Sequence, residues 1–590
     1  MRGKNNGGSD ALAIGSDAVI QTTGSVNLRP GGVAPGGSFT AAENDPVFIA
    51  DPQFVGGTAL GPFGFVLSSP ELATIRDGSA GIVIGSATHT GPISANLAFN
   101  WQDELTLQNA GAGSAGITIN SPITNPSNLV TLSSGGPVTQ SSAAPITADS
   151  LLLHGTQPQS NFQLGNTGNN VETFASKFEV PKGLPDPGGS FGDVNYVNSG
   201  ALAIGRPSAM GPLTGTGFDS SNNQPTPPII ATNSTSGGDF FAQTLSGNLT
   251  LNHNISTLAS DITLVTSGVF LNPGMNTLTP AGGGRFLVFA DTFTGEIDGD
   301  LTGSSPQPNL YGCTFSGGCI AGVSIPATGN HFVYRERPAA TLTADNKARI
   351  YGAQNPAFTF QTSGLVNGDT LSDAVSGDFS TAATPTSNVG AYAITGSFVS
   401  PVGYALNVVP GTLTVNKAQL SLVADPQSRL QGAANPPLTG TVTGFVVGDT
   451  AGSATTGSLV FSTPADTASP IGFYAINGAG LDAGNYLFMQ APSNATALTV
   501  LAPNIPPPDR LRLGIDQAPR QSREPGFDDS YVYESNLGFP ELCAAAGPLT
   551  VAGGGSTVGD LLDYEWARVR LNPNLSNCIN VDEQNGCDDF

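Results

Sequence analysis

The chain has 590 residues and a net charge of −24, with only 20 Lys plus Arg, against 77 Gly and 45 Pro; charged residues make up just 11%. That is too long for one ordinary core, so several domains or one elongated repeat are expected, and too apolar for disorder, which pairs low hydrophobicity with high charge. Without clustered cations, recognition of nucleic-acid phosphate and docking on anionic lipid are excluded.

Gly, Pro, Ser, Thr and Asn in this abundance suit short strands joined by many tight turns. No apolar run is long enough to span a bilayer, so direct membrane insertion is not expected. The start, Met1-Arg2-Gly3-Lys4, lacks the apolar stretch of a signal peptide, and the repeats begin without a cap. The chain is therefore read as lacking its true beginning.

From about residue 70 to 335 one theme recurs: a short alternating strand, then a Gly/Asn/Ser corner. Gly81-Ile-Val-Ile-Gly85, Glu104-Leu-Thr-Leu-Gln108, Gly116-Ile-Thr-Ile-Asn120, Leu129-Val-Thr-Leu-Ser133 and Asp149-Ser-Leu-Leu-Leu-His154 are examples, and Asn248-Leu-Thr-Leu-Asn252 and Arg285-Phe-Leu-Val-Phe289 come later. Period-two alternation places Ile, Leu and Val on one face and Thr, Ser and Gln on the other. Such strands with no helices between them predict a right-handed parallel β-helix over 1–338, whose inward residues stack into a continuous column. The Pro/Gly/Ser/Asn-rich stretches 181–193 and 206–238 read as irregular loops thrown out from it.

Beyond Arg335-Glu336-Arg337-Pro338 the clearest repeat begins. Gly352-Ala-Gln-Asn-Pro356 recurs as Gly432-Ala-Ala-Asn-Pro436, and Asn367-Gly-Asp-Thr370 as Val447-Gly-Asp-Thr450, both at a spacing of 80. Val389-Gly-Ala-Tyr-Ala-Ile-Thr-Gly396 matches Ile471-Gly-Phe-Tyr-Ala-Ile-Asn-Gly478. Two small β-rich modules are thus predicted, at 339–418 and 419–501. Pro506-Pro507-Pro508 opens a Pro-rich linker and acidic tail over 502–590. The tail is mostly irregular, with one short helix predicted at 557–570, where Leu562, Trp566 and Val569 share a face.

Of the five cysteines, Cys313 with Cys319 and Cys578 with Cys587 bound short loops. Neither spacing is a metal pattern and no histidine adjoins either pair, so short disulfide loops and an oxidising compartment are expected. Cys543 is left over, and the pairing stays open.

No motif announces catalysis. Gly111-Ala-Gly-Ser-Ala-Gly116 has the spacing of a dinucleotide fingerprint, but a strand follows where a helix N-terminus is needed. Gly188-Gly-Ser-Phe-Gly192 resembles a nucleophile elbow, yet it follows Leu-Pro-Asp-Pro and not a buried strand. His89, His154, His253 and His331 are isolated in sequence and read as exposed or half-buried coil residues. Glu296-Ile-Asp-Gly-Asp300 lacks the following ligands of a calcium loop and reads as turn chemistry. No catalytic residue, cofactor site or metal site is assigned. The rival reading is a β-helix polysaccharide-cleaving enzyme, which needs paired carboxylates, or a cation beside an acidic cluster, on one face; a purely structural spacer is the third.

The strands at 145–176, with Ser246-Gly-Asn-Leu-Thr-Leu-Asn252, Gly284-Arg-Phe-Leu-Val-Phe289 and Gly329-Asn-His-Phe-Val-Tyr334, resemble the late coils of filamentous-haemagglutinin-type exoproteins, and the 80-residue repeats resemble MBG modules. The resemblance covers about residues 70–500. It implies a non-catalytic part of an adhesin at the extracellular surface of a Gram-negative bacterium, serving as stalk and binding surface for a host glycan or protein receptor, or for other bacteria. Secretion through an outer-membrane transporter of the two-partner type is implied as well, with the C-terminal tail as tether, since Cys578 and Cys587 are similar to the Cys-bounded end of some members. The family's N-terminal secretion domain is absent. If a ligand is bound, the polar Thr/Asn face of the column or the 206–238 segment is the expected surface.

Overall fold

The computed structural model describes residues 65–179, 192–219, 224–258, 260–301 and 308–503, together with short segments between residues 2 and 49. The predicted helix at 557–570, residues 188–191 of the elbow-like motif, and Cys543, Cys578 and Cys587 lie outside the described residues.

The first part is a parallel β-helix-like column built on two long sheets. In one, Ile82, Leu105, Val130, Leu151, Phe174 and Ile204 form a single register row. In the other, Ile93, Ile117, Val138, Phe162, Val194 and Phe240 form a second. None of these twelve is more than 3% exposed. Each buried side chain of this size contributes about 1.5–3 kcal/mol, and the rows stack because period-two alternation sends the same face inward in every coil. Corners are held by buried asparagines. Asn198 accepts from Val171 N–H at 2.9 Å and donates to Val171 O, Gly200 O and Ala201 O at 3.0–3.1 Å.

The 206–238 segment departs from expectation. Leu213–Gly215 and Ile229–Ala231 form an antiparallel hairpin laid back on the column, not an irregular loop thrown away from it. The cause lies in the coils beneath: Leu129, Leu152 and Ala175 turn outward and bury against Leu213, Ile229 and Ala231 as a second small core. The apolar run Leu151-Leu152-Leu153 carries that information, because a strand buried on both faces loses its alternation. The histidines also differ. His89, His154, His253 and His331 are all at most 8% exposed, and the rings of His154, His253 and His331 find hydrogen-bond partners at the coil edges; Ser234 Oγ, for instance, lies 2.7 Å from His253 Nε2.

At its far end the column closes on aromatic rings. Phe270 and Phe286 each meet Phe332, and Tyr334 stacks on Tyr311. Cys313 and Cys319 are joined as a disulfide across a two-rung antiparallel ladder. The column's hydrophobic core then runs on without a break into Ala340, Ala374, Val402 and Tyr404 of the first module.

Both modules share one plan. Ala339–Ala344 pairs Phe360–Ser363 and Ala405–Val409, while Gly390–Val399 pairs Ser376–Thr381 and Gly411–Asn416; Ala418–Ala424 and its neighbours repeat the first of these arrangements. The Gly-Ala-x-Asn-Pro repeat now has a physical reason. Arg349 is buried, and its guanidinium donates to Asn355 Oδ1, Ile350 O and Thr384 O. Arg429 does the same with Asn435, Leu430 and Asp466. The asparagine before proline is the side chain that satisfies a buried cation, as burial of charge requires.

Candidate functional site

Successive coils place Ser133, His154 and Lys177 in one register row, Ser133 opposite His154 and His154 opposite Lys177. Alternation turns them outward, toward the returning hairpin segment. Together with Gln108, Asn109, Thr156, Gln157 and Glu179 they line a cleft of about 410 Å³, walled on the far side by Thr226, Pro227, Pro228 and Ile229. Ser133 Oγ is 2.9 Å from His154 Nδ1. His154 Nε2 stands 3.2 Å from Glu179 Oε1. The polar contact with His154 comes first and the Lys177 ammonium at 3.4 Å second; they hold the Glu179 carboxyl down at about 2, against the opposing effect of partial burial. Two threonines of the lining, Thr156 and Thr226, have buried hydroxyls with no protein partner.

Serine, histidine and glutamate are the residue types of a nucleophile relay. Here Ser133 has no exposed surface, so an incoming carbonyl does not reach its Oγ. The cleft offers one carboxylate, Glu179, where glycoside hydrolysis needs two. A second polar group stands on the same sheet: Arg206 lies 3.5 Å from Asp149 Oδ2, and its charge also lowers the Glu104 carboxyl, which burial raises more strongly. Among the described residues no three His, Cys, Asp or Glu side chains group to hold a metal ion. Glu296, first residue of the acidic turn, is turned inward and accepts from Tyr334 Oη at 2.5 Å. No helix among the described residues is long and apolar enough to cross a membrane.

The other notable geometry is where units meet. Asp369 Oδ2 accepts from Tyr404 of its own module at 2.8 Å and from Tyr311 of the column at 2.7 Å. One module further on, Asp449 Oδ2 accepts from Tyr486 of its own module at 2.7 Å and from Tyr351 of the preceding one at 3.0 Å. Tyr404 and Tyr486 each also accept a backbone amide, Val366 N–H at 3.1 Å and Val446 N–H at 3.2 Å. Burial pushes the Tyr404 and Tyr486 phenols up to about 12. Around the second joint Tyr351, Val415, Ala418, Leu420, Ala483 and Tyr486 form a shared core.

Residues 340–414 and 420–496 match the MBG domain (YGX type). The two matches cover about a quarter of the chain. MBG domains occur in extracellular, repeat-rich surface proteins, which is compatible with a non-catalytic surface role. No curated protein and no solved structure matches the chain. The Tyr-Gly step of the MBG description stands at Tyr351-Gly352 in the first MBG module; Gln431-Gly432 replaces it in the second. Sequence repetition pointed to the Gly-Asp turns but missed their tyrosine partners. The available signal was Leu310-Tyr311-Gly312 in the column, which copies Ile350-Tyr351-Gly352 of the first MBG module.

Proposed function

We propose that this chain is a non-catalytic stalk and binding segment of a secreted bacterial surface adhesin of the filamentous-haemagglutinin type. The observation that carries the reading is the series arrangement of column, first MBG module and second MBG module through the same half-buried tyrosine–aspartate contact. Gly390–Val399 runs from the end that meets the second module, at Val389, to the end that meets the column, at Val402 and Tyr404. Joints at opposite ends of one small β unit transmit length, which is what a stalk needs. The cleft between the column and the 206–238 hairpin is the proposed place for a host glycan or protein receptor. Its polar lining with one carboxylate and one ammonium suits a neutral, hydroxyl-rich surface. Export through a two-partner outer-membrane transporter, with the C-terminal tail as tether, belongs to the same proposal.

The rival reading, a polysaccharide-cleaving enzyme, is favoured by the Glu104, Asp149 and Arg206 group, since a carboxyl raised by burial beside a cation is a recurring active-site feature. One experiment separates the two. Producing cells and cells lacking residues 70–501 are compared for adherence to host-cell monolayers, and the purified chain is tested for loss of viscosity in polysaccharide solutions. Lower adherence of the deletion strain with unchanged viscosity supports the adhesin; falling viscosity that is abolished by Glu104→Gln supports the enzyme.

A further inference from the structure

The two joints share a bond but not a surface. In each, a Tyr-Gly step acts as plug: Tyr311-Gly312 in the column and Tyr351-Gly352 in the first MBG module, with both glycines at positive φ, +71° and +87°. A Gly-Asp turn and a tyrosine act as socket: Asp369 with Tyr404, and Asp449 with Tyr486. The residue just before the socket tyrosine differs. In the first socket it is Gly403, in the second Asn485.

That difference has a steric and a polar side. Tyr311 N–H donates to Val402 O at 2.8 Å, which brings the column's backbone so close that a Cβ on Gly403 would lie 2.2 Å from Tyr311 O. Any side chain there forces the backbones apart. In the second joint Asn485 fills the corresponding place and recognises its neighbour directly. Its Oδ1 accepts from Val389 N–H at 3.0 Å, and its Nδ2 donates to Asn388 Oδ1 at 2.9 Å. In the first joint Gly403 has no side chain with which to make such contacts.

We infer that the tyrosine–aspartate bond couples any plug to any socket, while the residue before the socket tyrosine fixes the order of units: glycine admits the column, and asparagine rejects it and selects an MBG module. Discrimination of this kind needs an element that repels the wrong partner as well as one that attracts the right one, and Asn485 supplies both. By the same logic the second MBG module, with Gln431 at the plug position, does not present this joint onward. The inference concerns assembly order and stands whether or not the segment is an adhesin.

The test uses the full chain and peptide-resolved hydrogen exchange. Tyr311→Gln is expected to raise exchange over 364–370 at least 10-fold and leave 444–450 unchanged; Tyr351→Gln does the reverse. No change in either variant, or a rise spread over the whole module, overturns the coupling role. A chain lacking residues 339–418 then places Gln419 where Ala339 stood, bringing the column's plug to the second socket. Here 419–424 should stay protected while 444–450 exchanges freely, and Asn485→Gly should restore protection of 444–450 at least 10-fold. Protection of 444–450 without that substitution, or failure of Asn485→Gly to restore it, overturns the ordering role. Loss of protection at 419–424 in both deletion chains also counts against it, because a module able to seat on another plug must fold there.

Discussion

Replacing Asp449 by alanine should uncouple the two MBG modules without unfolding either. The substitution removes the acceptor of two hydroxyls, Tyr486 at 2.7 Å and Tyr351 at 3.0 Å, whose rings are 1% and 5% exposed. A hydrogen bond to a charged acceptor is worth about 1.5–3 kcal/mol. Asp449 itself is only half-buried, so water partly replaces it, and the two bonds together should count for about 2–4 kcal/mol. Each 1.4 kcal/mol is tenfold, so opening of the joint should rise roughly 30- to 700-fold. A chain of several domains has no single well-defined melting temperature, so the assay is native-state hydrogen exchange over 444–450, with 339–344 and 418–424 as internal references. A rise of less than twofold over 444–450, or an equal rise at the references, would refute the reasoning. Asp369→Ala should cost more, because Asn309 Nδ2 adds a third donor, to Oδ1 at 2.8 Å.

Three further expectations follow from the same geometry. Asn198→Ala strips five hydrogen bonds from a fully buried corner, one of them accepted from Tyr196 Oη, and should destabilise the surrounding coils by about 2–4 kcal/mol, read as increased exchange over 170–204 with the MBG modules unaffected. Burial, with Asp298 adding repulsion, raises the Glu296 carboxyl to about 8 despite its hydrogen bond from Tyr334. A carboxyl whose folded value lies above its ordinary 4.5 contributes stability that is complete below 4.5 and is lost as pH rises through 8, about 3–5 kcal/mol in all. Exchange over 293–301 should therefore climb between pH 6 and 9 beyond the intrinsic rate, and Glu296→Gln should flatten that climb. His253 behaves oppositely: burial lowers it to about 4, so its contribution is present above 6.5 and lost as pH falls through 4. A coil around 249–257 that is equally protected at pH 3.5 and 7 would contradict that.

Much of the column was legible because its rule is local. Strands such as Ile117–Ile119 and Leu249–Leu251 announce their inward face by alternation, and the coil-to-coil register follows from repeating that pattern. The modules were legible through repetition alone, without their pairing. The hairpin over 206–238 was not: short strands rich in Gly and Pro carry little alternation, and what orders them is the outward Leu129, Leu152 and Ala175 beneath. The buried histidines were hidden for a related reason, since burial there depends on which neighbour covers each coil edge. The cleft needed three dimensions as well. Ser133, His154 and Lys177 are more than twenty residues apart and meet only once the register is known. The joints were half visible, the aspartate turns as repeats and their tyrosines as single residues without a pattern.

The most direct test of the surface-adhesin reading is to fractionate intact producing cells, before and after external protease, and probe with antiserum to residues 70–501. The account predicts that the antigen lies at the cell surface or in the medium and is removed by protease while cytosolic markers persist. An antigen that stays in the cytosol, untouched by protease until the cells are broken, would contradict it.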